Sequence, residues 1–212
     1  MRVLLAAAAA LIIAVPASAG IITSHLSSDA DMIAAIRNVA AVAEGRIGDL
    51  GGVATFELDI GDDTGNPAST AQHAWQNGVS EPFALAYDPG TNLMSFTLDG
   101  KTLTYSPALS FREIFVRTRA VNDGSSVHVR DLVINGESVE DFASAAGPDG
   151  LDILAISGVE LYEGFTMTGT ANLAWTETPP TNSRLAFQIK IGDAPTVPVE
   201  ASTWGKIKSL FR

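Results

Sequence analysis

Apolar residues in this chain recur at every second position, in short runs broken by Asp-Gly and Asn-Gly, and a period of two dictates strands rather than helices. "NLMSFTLDGKTLTYS" shows the pattern. Met94, Phe96 and Leu98 share one face, Asp99-Gly100 reverses the chain, and Leu103 and Tyr105 return on the second arm. A type I′ turn needs positive φ at both central residues, which Asp and Asn tolerate and Gly adopts freely, so the pair predicts a tight hairpin. "SSVHVRDLVINGESVED" predicts a second hairpin at Asn135-Gly136. In "GVATFELDI" the residues Ala54, Phe56, Leu58 and Ile60 alternate with Val53, Thr55, Glu57 and Asp59, predicting a half-buried strand. "FALAY", "EIFVRTRA", "LDILAIS", "GFTMTGTANLAW" and "SRLAFQIKI" predict more strands. A chain of 212 residues buries enough surface for one core and is short for two. The expectation is therefore all-β: a single antiparallel β-sandwich or jelly-roll-like domain over residues 20–192.

One stretch changes period. Ser28 with Asp31 three positions on resembles a capping box, and Met32, Ile33, Ile36, Val39, Ala40 and Ala43 follow at helical spacing. This predicts one N-terminal helix, Asp29 to Val42, ended by the glycines from Gly45 onward and packed on an edge or end of the sandwich.

The two ends of the chain differ from this body. "MRVLLAAAAALIIAVPASAG" has one Arg, an apolar run from Val3 to Val15, Pro16 as a breaker and the small-residue site Ala17-Ser18-Ala19. That is the layout of a secretory signal peptide over residues 1–19, cleaved after Ala19; the run is short of the roughly 20 apolar residues a membrane anchor needs. Export through the secretory pathway is expected, with no transmembrane segment in the mature chain. At the other end, residues 193–200 read as a Pro-containing linker and residues 201–212 as a cationic tail. At helical spacing Trp204, Ile207, Leu210 and Phe211 fall on one side of the tail and Lys206, Lys208 and Arg212 on the other. So short a helix is marginal in water and orders only against a surface, so three readings stand: docked on its own domain, disordered, or a sorting and surface-attachment element.

Charge sharpens the contrast. The chain has 13 Lys and Arg against 24 Asp and Glu. Arg2 belongs to the signal and three bases to the tail, so residues 20–200 hold 24 acids against nine bases, a net of −15. A body of that sign repels phosphate backbones and excludes nucleic acid as a partner. The tail, at +3, suits an anionic cell surface or export machinery.

Candidate chemistry is sparse. With no cysteine there is no thiolate nucleophile and no Cys-based zinc site. His25, His73 and His128 are far apart in sequence and form no HExxH, and no G-x-S-x-G elbow occurs. His128 between Val127 and Val129 reads as a solvent-facing strand residue. "LDIGDDTGNP" places Asp59, Asp62, Asp63 and Asn66 together; these are hard oxygen ligands suited to calcium, and equally the residues of an ordinary turn. Trp75, Trp175 and Tyr162 offer stacking faces for an extracellular polysaccharide, or serve the core. No catalytic set and no cofactor are expected.

"NPASTAQHAWQNGVSEPFALAYD", "SFTLDGKTLTY", "IFVRTRA", "VRDLVING", "GFTMTGTANLAW" and "NSRLAFQIKIG" resemble, in that order, the bacterial choice-of-anchor W domain, over Asn66 to Gly192. The resemblance implies a secreted surface domain placed ahead of a variable C-terminal sorting or anchoring signal. It implies no activity and no catalytic residues. "VPVEASTWG" is similar to the start of a PEP-CTERM sorting tail, but it lacks that motif's second Pro, and Lys206 and Lys208 stand where an apolar span would begin. The functional expectation is a non-catalytic secreted or cell-surface module, with a lectin-like carbohydrate-binding domain as the alternative.

Overall fold

The structure is a computed structural model and describes residues 20–48, 56–108 and 111–193. The signal segment 1–19, the linker from residue 194 and the tail 201–212 lie outside them. In chain order the elements are β1 (Ile22–Leu26), α1 (Asp29–Ala35), β2 (Asn38–Arg46), β3 (Leu58–Gly61), β4 (Pro67–Ala71), β5 (Ser80–Asp88), β6 (Leu93–Leu98) and β7 (Lys101–Tyr105). They continue with β8 (Glu113–Ala120), β9 (Ser126–Ile134), β10 (Glu137–Ser138), β11 (Ala143–Ala146), β12 (Gly150–Ser157), β13 (Phe165–Ala174) and β14 (Leu185–Asp193).

Two antiparallel sheets pack as a sandwich. One runs β1-β12-β8-β14-β2-β3-β4; the other runs β10-β9-β13-β5-β6-β7, with β11 also on β9. Alternation works as expected in most strands: Leu58, Ile60, Val116, Leu154, Phe187 and Ile189 from the first sheet meet Phe83, Leu85, Phe96, Val129, Met167 and Leu173 from the second in one buried core. The expected strand through "GVATFELDI" begins only at Leu58, and Phe56, expected on the face of Leu58 and Ile60, lies instead beside Arg46 on the opposite face. Phe187 is its aromatic hub, with ring centroids 5.9 Å from Phe83, 6.5 Å from Phe96 and 6.2 Å from Trp75. Gly45, opposite Phe187 across β2 and β14, leaves room for that ring; any Cβ there would strike it and press on Trp75. Both predicted hairpins form, with φ of 48° and 70° at Asp99-Gly100 and 52° and 85° at Asn135-Gly136. His128 alternates with fully buried Val127 and Val129, as its spacing implied.

The helix is shorter than its sequence periodicity suggested. Ser28 caps it as expected, its Oγ accepting from Asp31 N at 3.1 Å and donating to the Asp31 carboxylate at 2.7 Å. The helix stops at Ala35, Ile36 turns to φ −103°, ψ 119°, and Asn38–Arg46 is a strand, not the helix's second half. "NVAAVAEGR" is apolar without a break from Val39 to Ala43, so that run satisfies both periods. Pairing with β14 on one side and β3 on the other decides for the strand. Nor does α1 sit at an edge or end. Met32 and Ile36 pack on Phe115 and Ile153, whose neighbours Val116 and Leu154 point into the core, so the helix covers the outer face of the first sheet. Arg117 anchors it, donating to both oxygens of Asp29 at 2.6 and 2.9 Å. The short strands β1, β4 and β11 are additions to the expected set. β14 extends to Asp193, one residue into the expected linker.

Candidate functional site

Beside α1 the outer face of the first sheet is polar and forms a cleft. Glu44 on β2 stands directly opposite Asp59 on β3, and directly opposite Gln188 on β14. Inward-pointing Ala43, Leu58, Ile60 and Ile189 put these three polar side chains on the outside, at one level of the sheet. Arg46, two residues beyond Glu44, lies between the acids: its Nη2 is 3.2 Å from Asp59 Oδ2 and its Nη1 3.5 Å from Glu44 Oε1. Arg46 Nε donates to Phe56 O at 3.2 Å, and the guanidinium lies 4.1 Å above the centre of the Phe56 ring. Gln188 Nε2 donates to Glu44 Oε2 at 2.8 Å.

These residues, with Val42, Pro67 and the β3–β4 loop, line a cleft of about 200 Å³. Glu44 and Asp59 are only 8% and 7% exposed, the two most buried carboxylates among the described residues. Burial pushes the Asp59 carboxyl up to about 7; the Glu44 charge adds to the effect and Arg46 opposes it. Among the described residues no donor makes a well-directed hydrogen bond to either Asp59 oxygen; the Arg46 contact is an ion pair only. A desolvated acid with unused acceptor capacity, facing a cleft, marks a candidate binding position.

The calcium candidates divide. Asp59, Asp62 and Asp63 all line this cleft, and Asn66 is off its wall. Asp62 accepts from Thr64 N at 3.0 Å and from its hydroxyl at 2.5 Å, which lowers its pKa, and Lys190 Nζ donates to Asp63 at 2.6 Å. Among the described residues no three His, Cys, Asp or Glu are grouped to hold a metal ion. Glu44, Arg46 and Gln188 were missed in the sequence, since nothing local links them to Asp59.

The aromatic candidates do not gather into a stacking platform. Trp75 and Trp175 pack against the core, Trp75 also donating Nε1–H to Arg46 O at 2.8 Å, and Tyr162 is exposed. The histidines separate likewise. His25 on edge strand β1 lies 2.7 Å from Asp152 and 3.2 Å from Asp141. His73, after β4, is buried edge-on against Trp75 at 4.6 Å. Its Nε2 is 2.6 Å from Glu81 but too oblique for a hydrogen bond.

Neither a protein-family model nor a curated protein matches the chain. No helix among the described residues is long and apolar enough to cross a membrane.

Proposed function

We propose that this chain is a non-catalytic secreted or cell-surface β-sandwich module of a bacterium, similar to choice-of-anchor W domains and held or sorted through its C-terminal segment. The observation that carries the reading is the position of β14, from which that segment departs. β14 is hydrogen-bonded to β8 along one side and β2 along the other, so both of its edges are filled without any residue after Asp193. A segment that β14 does not need for pairing, and whose charge opposes the body's, has a different partner. Three basic residues contribute on the order of 1 kcal/mol each near an anionic surface, and Trp204, Ile207, Leu210 and Phe211 add apolar burial. Export machinery or an anionic envelope supplies such a surface.

The test is the distribution of the protein in its native cell with and without residues 201–212. Deletion is expected to move it from the cell-associated fraction into the medium, or to strand it in the periplasm. An unchanged distribution refutes the localisation role. A second reading, a lectin-like carbohydrate-binding domain, is favoured by the cleft around Asp59.

A further inference from the structure

We propose that the cleft formed by Glu44, Arg46, Phe56, Asp59 and Gln188 is a direct, metal-independent binding site for a neutral saccharide, engaged through adjacent hydroxyl groups. This deepens the lectin-like reading and rests on it.

The argument is one of matching donors and acceptors. Among the described residues no hydrogen bond reaches either Asp59 oxygen, Arg46 has N–H groups beyond the one used on Phe56 O, and Gln188, whose Nε2 already donates to Glu44, keeps a second N–H and its acceptor oxygen. Three classes of small polar ligand compete for such a lining. An anion meets the carboxylates of Glu44, Asp59, Asp62 and Asp63 and is repelled. A cation gains from those acids but meets the Arg46 guanidinium held between the two most buried of them, with Lys190 already on Asp63. A pair of hydroxyls suits both: each O–H donates to a carboxylate, and each oxygen accepts from Arg46 or Gln188, with no net charge to desolvate. The cleft's volume of about 200 Å³ admits one sugar ring, and the fixed sheet positions of Glu44, Asp59 and Gln188 are set before any ligand arrives. Because Asp59 accepts through both oxygens, with charge assistance, only when ionised, and burial holds that acid up to about 7, binding weakens on acidification from pH 8 to pH 6. The other charged groups around the cleft are Glu44, Asp62, Asp63, Arg46 and Lys190.

The mature chain, in buffer containing EDTA, is titrated with glucose, galactose and mannose and with their disaccharides, following backbone amide shifts by NMR. The expected result is saturable shifts for at least one sugar, centred on the amides of β2, β3 and the middle of β14, and weaker binding at pH 6 than at pH 8. Asp59→Asn and Glu44→Gln are each expected to weaken binding by about tenfold or more, with melting temperatures no lower than wild type showing that the fold is intact. Saturation by no sugar, saturation elsewhere, equal binding by Asp59→Asn, binding that appears only when calcium replaces EDTA, or displacement of the sugar by ethylammonium at lower concentration each overturns the proposal. The tail-deletion experiment reads cell distribution, so its outcome is independent of this one.

Discussion

Asp59 is an acid placed where its charge is poorly solvated, and this has a consequence for stability as well as for binding. Its pKa lies near 3.8 in an unfolded chain and about 7 in the folded one. Between those values the unfolded chain has released a proton that the folded chain keeps, so stability falls as pH rises from about 4 to about 7 and then levels off. Asp59→Asn is expected to remove that slope and to raise the melting temperature at pH 8. The gain should be on the order of 1–2 kcal/mol, below the roughly 4 kcal/mol ceiling set by the shift, because Arg46 loses one of its two acidic partners. Thermal melts of both proteins at pH 5 and pH 8 check it; a variant that melts lower at pH 8 contradicts the reading of Asp59 as an acid held at a desolvation cost. Phe187 is the opposite case, an apolar side chain with no exposure and three aromatic neighbours. Phe187→Ala should cost about 3–5 kcal/mol in denaturant melts, and more than Phe142→Ala, since Phe142 is half exposed.

Among the edge strands, β1 has a side-chain tie besides its ladder. Among the described residues it pairs with β12 alone, and the His25 side chain ties it sideways to Asp152 and Asp141. The hydrogen bond to Asp152 is the main cause of a raised His25 pKa; partial burial opposes it and Asp141 adds to it. Burial tends to raise the Asp141 pKa, but hydrogen bonds from His25, Phe142 N and Thr23 outweigh it, and the net direction is down. A raised histidine stabilises fully below its unfolded value of 6.5 and loses that contribution as pH rises through its folded value; a lowered aspartate stabilises above 3.8 and loses it on acidification. The tie is therefore strongest between about pH 4 and pH 6.5. Hydrogen exchange, corrected for the intrinsic pH dependence, should show β1 amides better protected relative to β14 at pH 5.5 than at pH 8. His25→Gln should remove that difference. A difference that survives the substitution would mean that β1 is held by its ladder alone. The strand β2 carries a separate lesson, because its Ala- and Val-rich run fits a helix in isolation and becomes a strand only between β14 and β3.

For the molecule as a whole, deleting residues 201–212 should leave the melting temperature within about 1 °C of the intact chain, since β14 is already paired on both sides; a loss of several kcal/mol would show a segment docked on the sandwich. Much of this architecture is legible in the chain itself. The hairpins at Asp99-Gly100 and Asn135-Gly136 depend on the φ preferences of two adjacent residues, and β8, "EIFVRTRA", matches its predicted span residue for residue. These features are local, so the sequence determines them. The boundary between α1 and β2 was not determined there, because the unbroken Ala and Val run from Val39 to Ala43 satisfies periods of 2 and 3.6 alike. Nor was the cleft: Asp59 was visible as an acid in a loop, but Glu44 is 15 residues away, and Gln188, which bonds to Glu44, is 144 residues further on. Their meeting depends on strand order and register, and the raised pKa of Asp59 on burial by neighbours remote in sequence. Local backbone preference is written in adjacent residues, whereas desolvation and long-range pairing exist only once the sheets are assembled.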